Sequence, residues 1–157
     1  MKPIENKCML ITYANSMGKN LKELEQVLDK HFSRELGGVH ILPFFPSSGD
    51  RGFAVINYDI VDPAFGTWED IRRLSEKYFM AADFMLNHVS IRSNEFQDYL
   101  KNGEASPYRD MFIHWEEFWP EGEPTADDLA VLYSRKPQGP CKTYTLANGE
   151  QVRLWNT

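Results

Sequence analysis

Short apolar runs alternate with amphipathic stretches along residues 8–88, and few folds accept that order. Cys8 to Tyr13 reads as a buried strand, an apolar run carrying the β-branched Ile11 and Thr12. Met17-Gly18 is a break. Asn20 and Glu23 then form an N-cap and capping-box pair, and Leu21, Leu24, Val27 and Leu28 follow at helical spacing, which predicts a helix over 20–32. Gly37-Gly38 ends that unit. Val39 to Leu42 is a second strand, which Pro43 and Pro46 stop from extending. Thr67 and Asp70 cap another helix, Trp68 to Tyr78, with Ile71, Leu74 and Tyr78 on one face. Met80 to Leu86 reads as a third strand with Asn87-His88 at its C-terminal end. Strand, helix, strand, helix, strand implies parallel strands joined by crossovers. Barrels and open doubly wound sheets both meet that requirement, and both keep their sites on the loops after the strands. The open sheet lacks its usual glycine-rich phosphate loop: Ser16-Met17-Gly18 is a poor match.

After His88 the character changes. Ser93 to Lys101 reads as a short helix closed by Asn102-Gly103, and residues 107–119 are rich in aromatics: Tyr108, Phe112, Trp115, Phe118 and Trp119. Thr125 and Asp128 cap a helix through Tyr133. Thr143 to Thr145 and Gln151 to Trp155 flank Asn148-Gly149, a hairpin signal. These residues predict an irregular subdomain inserted after the third strand. The expected division is therefore 1–88 and 89–157.

Composition excludes several classes. Hydrophobic residues at 42% and charged residues at 25% belong to a globular chain with a core of its own. The net charge of −6 and the lack of a basic stretch argue against a nucleic-acid partner, which needs a positive face. No apolar run approaches the roughly 20 residues of a membrane span, and the N-terminal run Cys8 to Ile11 is too short for a signal peptide. Two cysteines, Cys8 and Cys141, frame no disulfide scaffold and fit a reducing cytoplasm.

Two motifs carry chemistry. Asp83-Phe84-Met85-Leu86-Asn87-His88 puts Asn and His at a strand mouth, where they can bond ligand hydroxyls; a merely capped strand end uses the same residues. Gly49-Asp50-Arg51-Gly52-Phe53 sets a carboxylate between glycines on the long loop 46–66, where a backbone can approach a ligand closely; an Asp-Arg surface turn is the plainer alternative.

Asp83 to His88 matches the D-x-x-x-N-H signature of the third strand in the α-amylase superfamily of glycoside hydrolases. With Leu10 to Ala14, Gly38 to Pro46, Gly49 to Phe53, Val61-Asp62, Phe65-Gly66 and Leu154 to Thr157, the whole chain resembles the sucrose phosphorylases of that superfamily. The resemblance implies an α/β chain: the first three β/α units of a (β/α)8 TIM barrel, an inserted B domain after strand 3, and a barrel left incomplete. It implies that Asp50 bonds a glucosyl unit, that Phe53 forms an apolar wall, and that His88 binds a hydroxyl near the primary alcohol. Arg135 and Lys136 fall where such enzymes turn a cation toward phosphate or the acceptor sugar; a solvated charge pair is the alternative. No cofactor and no metal are implied, although some amylases bind calcium through the Asn at the position of Asn87.

The implied reaction is retaining glucosyl transfer from sucrose to phosphate. A carboxylate attacks the anomeric carbon, an acid protonates the departing fructose, and phosphate intercepts the glucosyl-enzyme. The expected partners are therefore a small sugar and phosphate, with no nucleic acid and no membrane. Sucrose 6-phosphate phosphorylase, or another glucoside phosphorylase or hydrolase of the superfamily, stays open. The nucleophile, acid/base and stabilising carboxylate of such enzymes lie in later strands, and no catalytic residue is identified in this chain. The isolated 157-residue chain is thus expected to be inactive, a truncated product or partial sequence. A non-catalytic sugar-binding or barrel-complementing fragment is the alternative of another class.

Overall fold

Three short parallel strands and the two helices between them make up the first half of the chain. The structure, a computed structural model, describes residues 2–133, 137 and 139–156. It divides into two compact units, Met1–Ser93 and Asn94–Thr157.

In the first unit, β1 (Cys8–Thr12), β2 (Leu36–Ile41) and β3 (Phe79–Ala82) lie side by side in sequence order. Both pairings are parallel, with Leu10 opposite Val39 and Val39 opposite Met80. Helix α1 (Leu21–His31) follows β1, and α2 (Trp68–Lys77) follows β2. Alternation along β2 decides which face the helices cover. Val39 and Ile41 are fully buried with Leu21, Leu24 and Leu28 of α1 and Leu74 of α2. The opposite row, Ile11, His40 and Ala81, is less covered, and Ile11 is 62% exposed.

The helix starts follow from their caps. Asn20 Oδ1 accepts the Glu23 N–H at 3.0 Å, as an N-cap should. Glu23, expected to complete a capping box, instead takes the Lys19 N–H at 2.8 Å, one residue upstream of the cap. At α2 the Thr67 N–H and hydroxyl both donate to Asp70 Oδ2, at 2.8 and 3.0 Å. The two helices are further tied by charge: Glu25, nearly buried, accepts from Lys77 at 2.7 Å and from Arg73 at 3.3 Å.

The third strand is shorter than its apolar run implies. It ends at Ala82, not Leu86, and Phe84 and Leu86 are 63% and 83% exposed. Its partner strand explains this. Continuing the register would set Asp83 beside Leu42 and Phe84 beside Pro43, and proline has no N–H to give the ladder. Leu42 turns its own N–H to Thr12 of the β1 strand.

The second unit holds α3 (Asn94–Asn102), the short helices α4 (Trp115–Phe118) and α5 (Ala126–Val131), and a hairpin of β4 (Cys141–Thr145) and β5 (Gln151–Trp155). The hairpin is antiparallel, and its connection is closed by Leu146 N–H to Glu150 O at 2.8 Å with Gly149 at φ 87°. Phe96 and Tyr99 of α3 are buried with Leu146 and Leu154, and Phe112, Tyr144 and Val152 pack around them. The α5 helix stops two residues short of Tyr133. Val131 and Tyr133 are 83% and 89% exposed, so no burial rewards a further turn.

Candidate functional site

Beyond the C-terminal ends of β2 and β3 the chain forms two loops, and the expected sugar contacts Asp50, Phe53 and His88 all lie on them. The β2 loop begins with the pair Phe44 and Phe45, stacked at 4.5 Å and buried, which anchors it to the core. It then makes a 3-10 turn, Asp50–Gly52, closed by Gly52 N–H to Gly49 O and Phe53 N–H to Asp50 O. Gly52 is required there. Its φ is 102°, and a β-carbon would lie 2.6 Å from the Pro43 carbonyl oxygen.

His88 and Phe53 are brought into direct contact. The Phe53 carbonyl accepts from His88 Nε2 at 2.9 Å, and His88 Nδ1 accepts from the Asn87 side-chain amide at 3.0 Å. A carbonyl only accepts, so Nε2 carries the proton. Both ring nitrogens are therefore engaged, and a ligand hydroxyl at Nε2 must share or replace the Phe53 bond. Asp50 is exposed, and no hydrogen bond or ion pair from a described residue reaches its carboxylate. Arg135 and Lys136 lie outside the described residues.

Further hydrogen bonds tie the two loops together, and one joins the β2 strand to the start of the second loop. Met85 N–H donates to the Tyr58 hydroxyl at 2.8 Å, and Ser90 N–H to the Val55 carbonyl at 3.0 Å. The hydroxyls of Ser48 and Ser90 are 2.6 Å apart. His40 Nε2 donates to Asp83 Oδ2 at 2.9 Å, from β2 to the first residue after β3. The segment 83–90 thus keeps its course without a strand ladder. Asp83 belongs to the motif, but its partner His40 and the hydroxyl of Tyr58 carry no sequence signal. Only the parallel register, which sets His40 opposite Ala81, places His40 within reach.

These loops offer a carboxylate without a partner among the described residues, a half-buried aromatic side chain and an imidazole, a set suited to neutral polyol hydroxyls. Among the described residues, no group of three or more His, Cys, Asp or Glu is placed to hold a metal ion. Nor is any helix long and apolar enough to cross a membrane.

Nearly the whole chain is similar to known proteins. The chain is 52% identical over 155 residues to sucrose phosphorylase of Streptococcus mutans serotype c, covering 99% of this chain and 32% of that protein. It is 43% identical over 154 residues to glucosylglycerol phosphorylase of Marinobacter adhaerens, covering 98% and 32%. The crystal structure of sucrose 6F-phosphate phosphorylase from Thermoanaerobacter thermosaccharolyticum superposes with a TM-score of 0.92 at 48% identity, over 99% of this chain and 32% of that one. The chain thus spans about a third of the length of the curated relatives it matches. Its few parallel strands and their helices fit part of a TIM barrel. Residues 12–136 match the family model described as alpha amylase, catalytic domain, and the chain belongs to that family.

Proposed function

We propose that this chain is the N-terminal portion of a retaining glucosyl-transferring phosphorylase that converts sucrose and phosphate to glucose 1-phosphate and fructose. In this reading residues 1–88 supply the first three β/α units of the barrel, and residues 89–157 are the inserted B domain. Asp50 accepts hydrogen bonds from glucosyl hydroxyls, Phe53 walls the sugar, and His88 binds a hydroxyl near the primary alcohol. Arg135 and Lys136 face phosphate or the acceptor. The carboxylates that break and form the glycosidic bond come from later strands, so this chain alone binds and does not turn over. Acceptor choice between fructose and fructose 6-phosphate rests on loops outside these residues. Two free thiols, Cys8 and Cys141, favour a reducing, cytoplasmic setting.

The observation that carries this reading is the 2.9 Å bond from His88 to the Phe53 carbonyl, which joins the D-x-x-x-N-H motif to the Asp50 loop. A titration of the chain with glucose, followed by NMR, tests it. Weak saturable shifts at Asp50, Phe53 and His88, lost in Asp50→Ala, are expected, with no glucose 1-phosphate formed from sucrose and phosphate. Glucose shifts that are absent, or unchanged in Asp50→Ala, would overturn the assignment. A second reading, a fragment that completes a barrel with other strands, is favoured by the exposure of Met9 and Ile11 on the β1 strand, at 46% and 62%. Co-purification with the remaining two-thirds of a relative's chain separates it from the first.

A further inference from the structure

The turn that carries Asp50 is held against its own preference. Asp50 and Arg51 are consecutive residues with φ of 52° and 49°. In that left-handed region the β-carbon crowds the following carbonyl, a penalty that arginine has no means to relieve by itself. Gly49 and Gly52 flank the pair but do not replace it. A compensating contact is present: the Arg51 guanidinium carbon lies 4.0 Å from the centre of the Tyr13 ring. Tyr13 follows directly on the β1 strand, so a rigid element holds the ring. Arg51 is exposed, and no ion pair or hydrogen bond from a described residue competes for its guanidinium.

We propose that Arg51 is a positioning residue, which by stacking on Tyr13 adds to the hydrogen bonds that hold residues 50 and 51 left-handed and so helps to aim the Asp50 carboxylate. The contact depends on backbone direction. Returning Arg51 to the ordinary helical or extended region swings its side chain away from the ring and redirects Asp50 with it. The functional meaning rests on the reading of Asp50 as a sugar contact; the turn's geometry stands without it.

The test uses the isotope-labelled 157-residue chain and reads the three-bond HN–Hα couplings and amide shifts of Asp50 and Arg51, with glucose as probe. In Arg51→Ala and Tyr13→Ala the ratio of left-handed to relaxed turn falls about two- to fivefold, the range expected for an exposed cation over a ring. Tyr13→Phe retains the ring and the turn. Arg51→Gly keeps the left-handed turn without the stack, because glycine has no β-carbon to strain. Unchanged couplings in both alanine variants overturn the proposal whatever glucose does. If the turn relaxes in Arg51→Ala but glucose binds as tightly as before, positioning is refuted while sugar binding stands. If the turn relaxes and glucose binds none of the forms, the positioning holds and the sugar reading falls.

Discussion

Replacing Gly52 by alanine should damage the site loop in two ways whose sizes can be reckoned separately. Its φ of 102° is one that a residue with a β-carbon rarely adopts, a penalty of roughly 1–2 kcal/mol. The added carbon would also stand 2.6 Å from the Pro43 oxygen and 3.1 Å from the Pro43 β-carbon. Those atoms belong to backbone and a fixed ring, not to a side chain that can swing aside, so overpacking adds typically about 1–3 kcal/mol. The sum is about 2–5 kcal/mol, less whatever the turn recovers by shifting. With a urea dependence of about 1–3 kcal/mol per molar, the midpoint should fall by roughly 1 M or more. Urea unfolding followed through the amide signals of Val39 and Ile41, which are buried in β2, reads the stability of the first unit itself. If the turn gives way instead, the Asp50 and Phe53 signals move while the midpoint holds. A midpoint within about 0.3 M of the unaltered chain, with Asp50 and Phe53 signals also unmoved, would refute the reasoning.

Three further outcomes are expected. Burial works to raise the Asp70 carboxyl, but the bonds from Arg73 and from the Thr67 N–H and hydroxyl outweigh it and hold it below its ordinary 3.8. A carboxyl depressed on folding contributes stability above its unfolded value and loses it as pH falls through the folded one. Acid unfolding should therefore steepen below about pH 4, and Asp70→Asn should flatten that limb while lowering stability at neutral pH. Nitrogen-15 spectra of the imidazoles at high pH should show the His88 proton on Nε2; a proton on Nδ1 contradicts the Phe53 bond. Tyr58→Phe should strand the Met85 N–H, cost about 1 kcal/mol in urea unfolding, and speed amide exchange at Met85.

The parts of the fold legible in the sequence are those decided locally. The α1 and α2 faces declare themselves because Leu21, Leu24 and Leu28, and Ile71 and Leu74, recur at helical spacing, and the caps Asn20 and Thr67 act on residues three positions away. Asn148-Gly149 marks its hairpin for the same reason. The length of β3 was not legible, because a strand lasts only as long as its partner, and Pro43 lies 40 residues upstream of Asp83. Glu23 sat at the right spacing for a capping box, yet nothing local decides between the N–H groups of Lys19 and Asn20. At the site, flanking glycines point to Asp50 and the strand-end Asn-His pair to His88, whereas Phe53 is singled out only by the resemblance to the sucrose phosphorylases. The contacts that hold these residues in place, His40 with Asp83 and Tyr58 with Met85, join residues far apart in the chain and need the parallel register to be seen. Arg51 lies inside the glycine-flanked motif, but nothing in the sequence marks its left-handed backbone or its contact with Tyr13, since it looks like any arginine of a surface turn.

The bonds that lace residues 48–58 to residues 83–90 limit how such a chain can vary through insertion and deletion. Loop lengths usually drift freely, since each added residue costs little closure entropy. Here Ser48, Phe53, Val55 and Tyr58 each meet a fixed counterpart in Ser90, His88, Ser90 and Met85. One residue gained between Ser48 and Tyr58 would put every later contact out of step, and a matching change on the other loop would be needed to recover it. A change of length in one of these loops therefore calls for a matching change in the other, and tolerance for new sequence lies outside them.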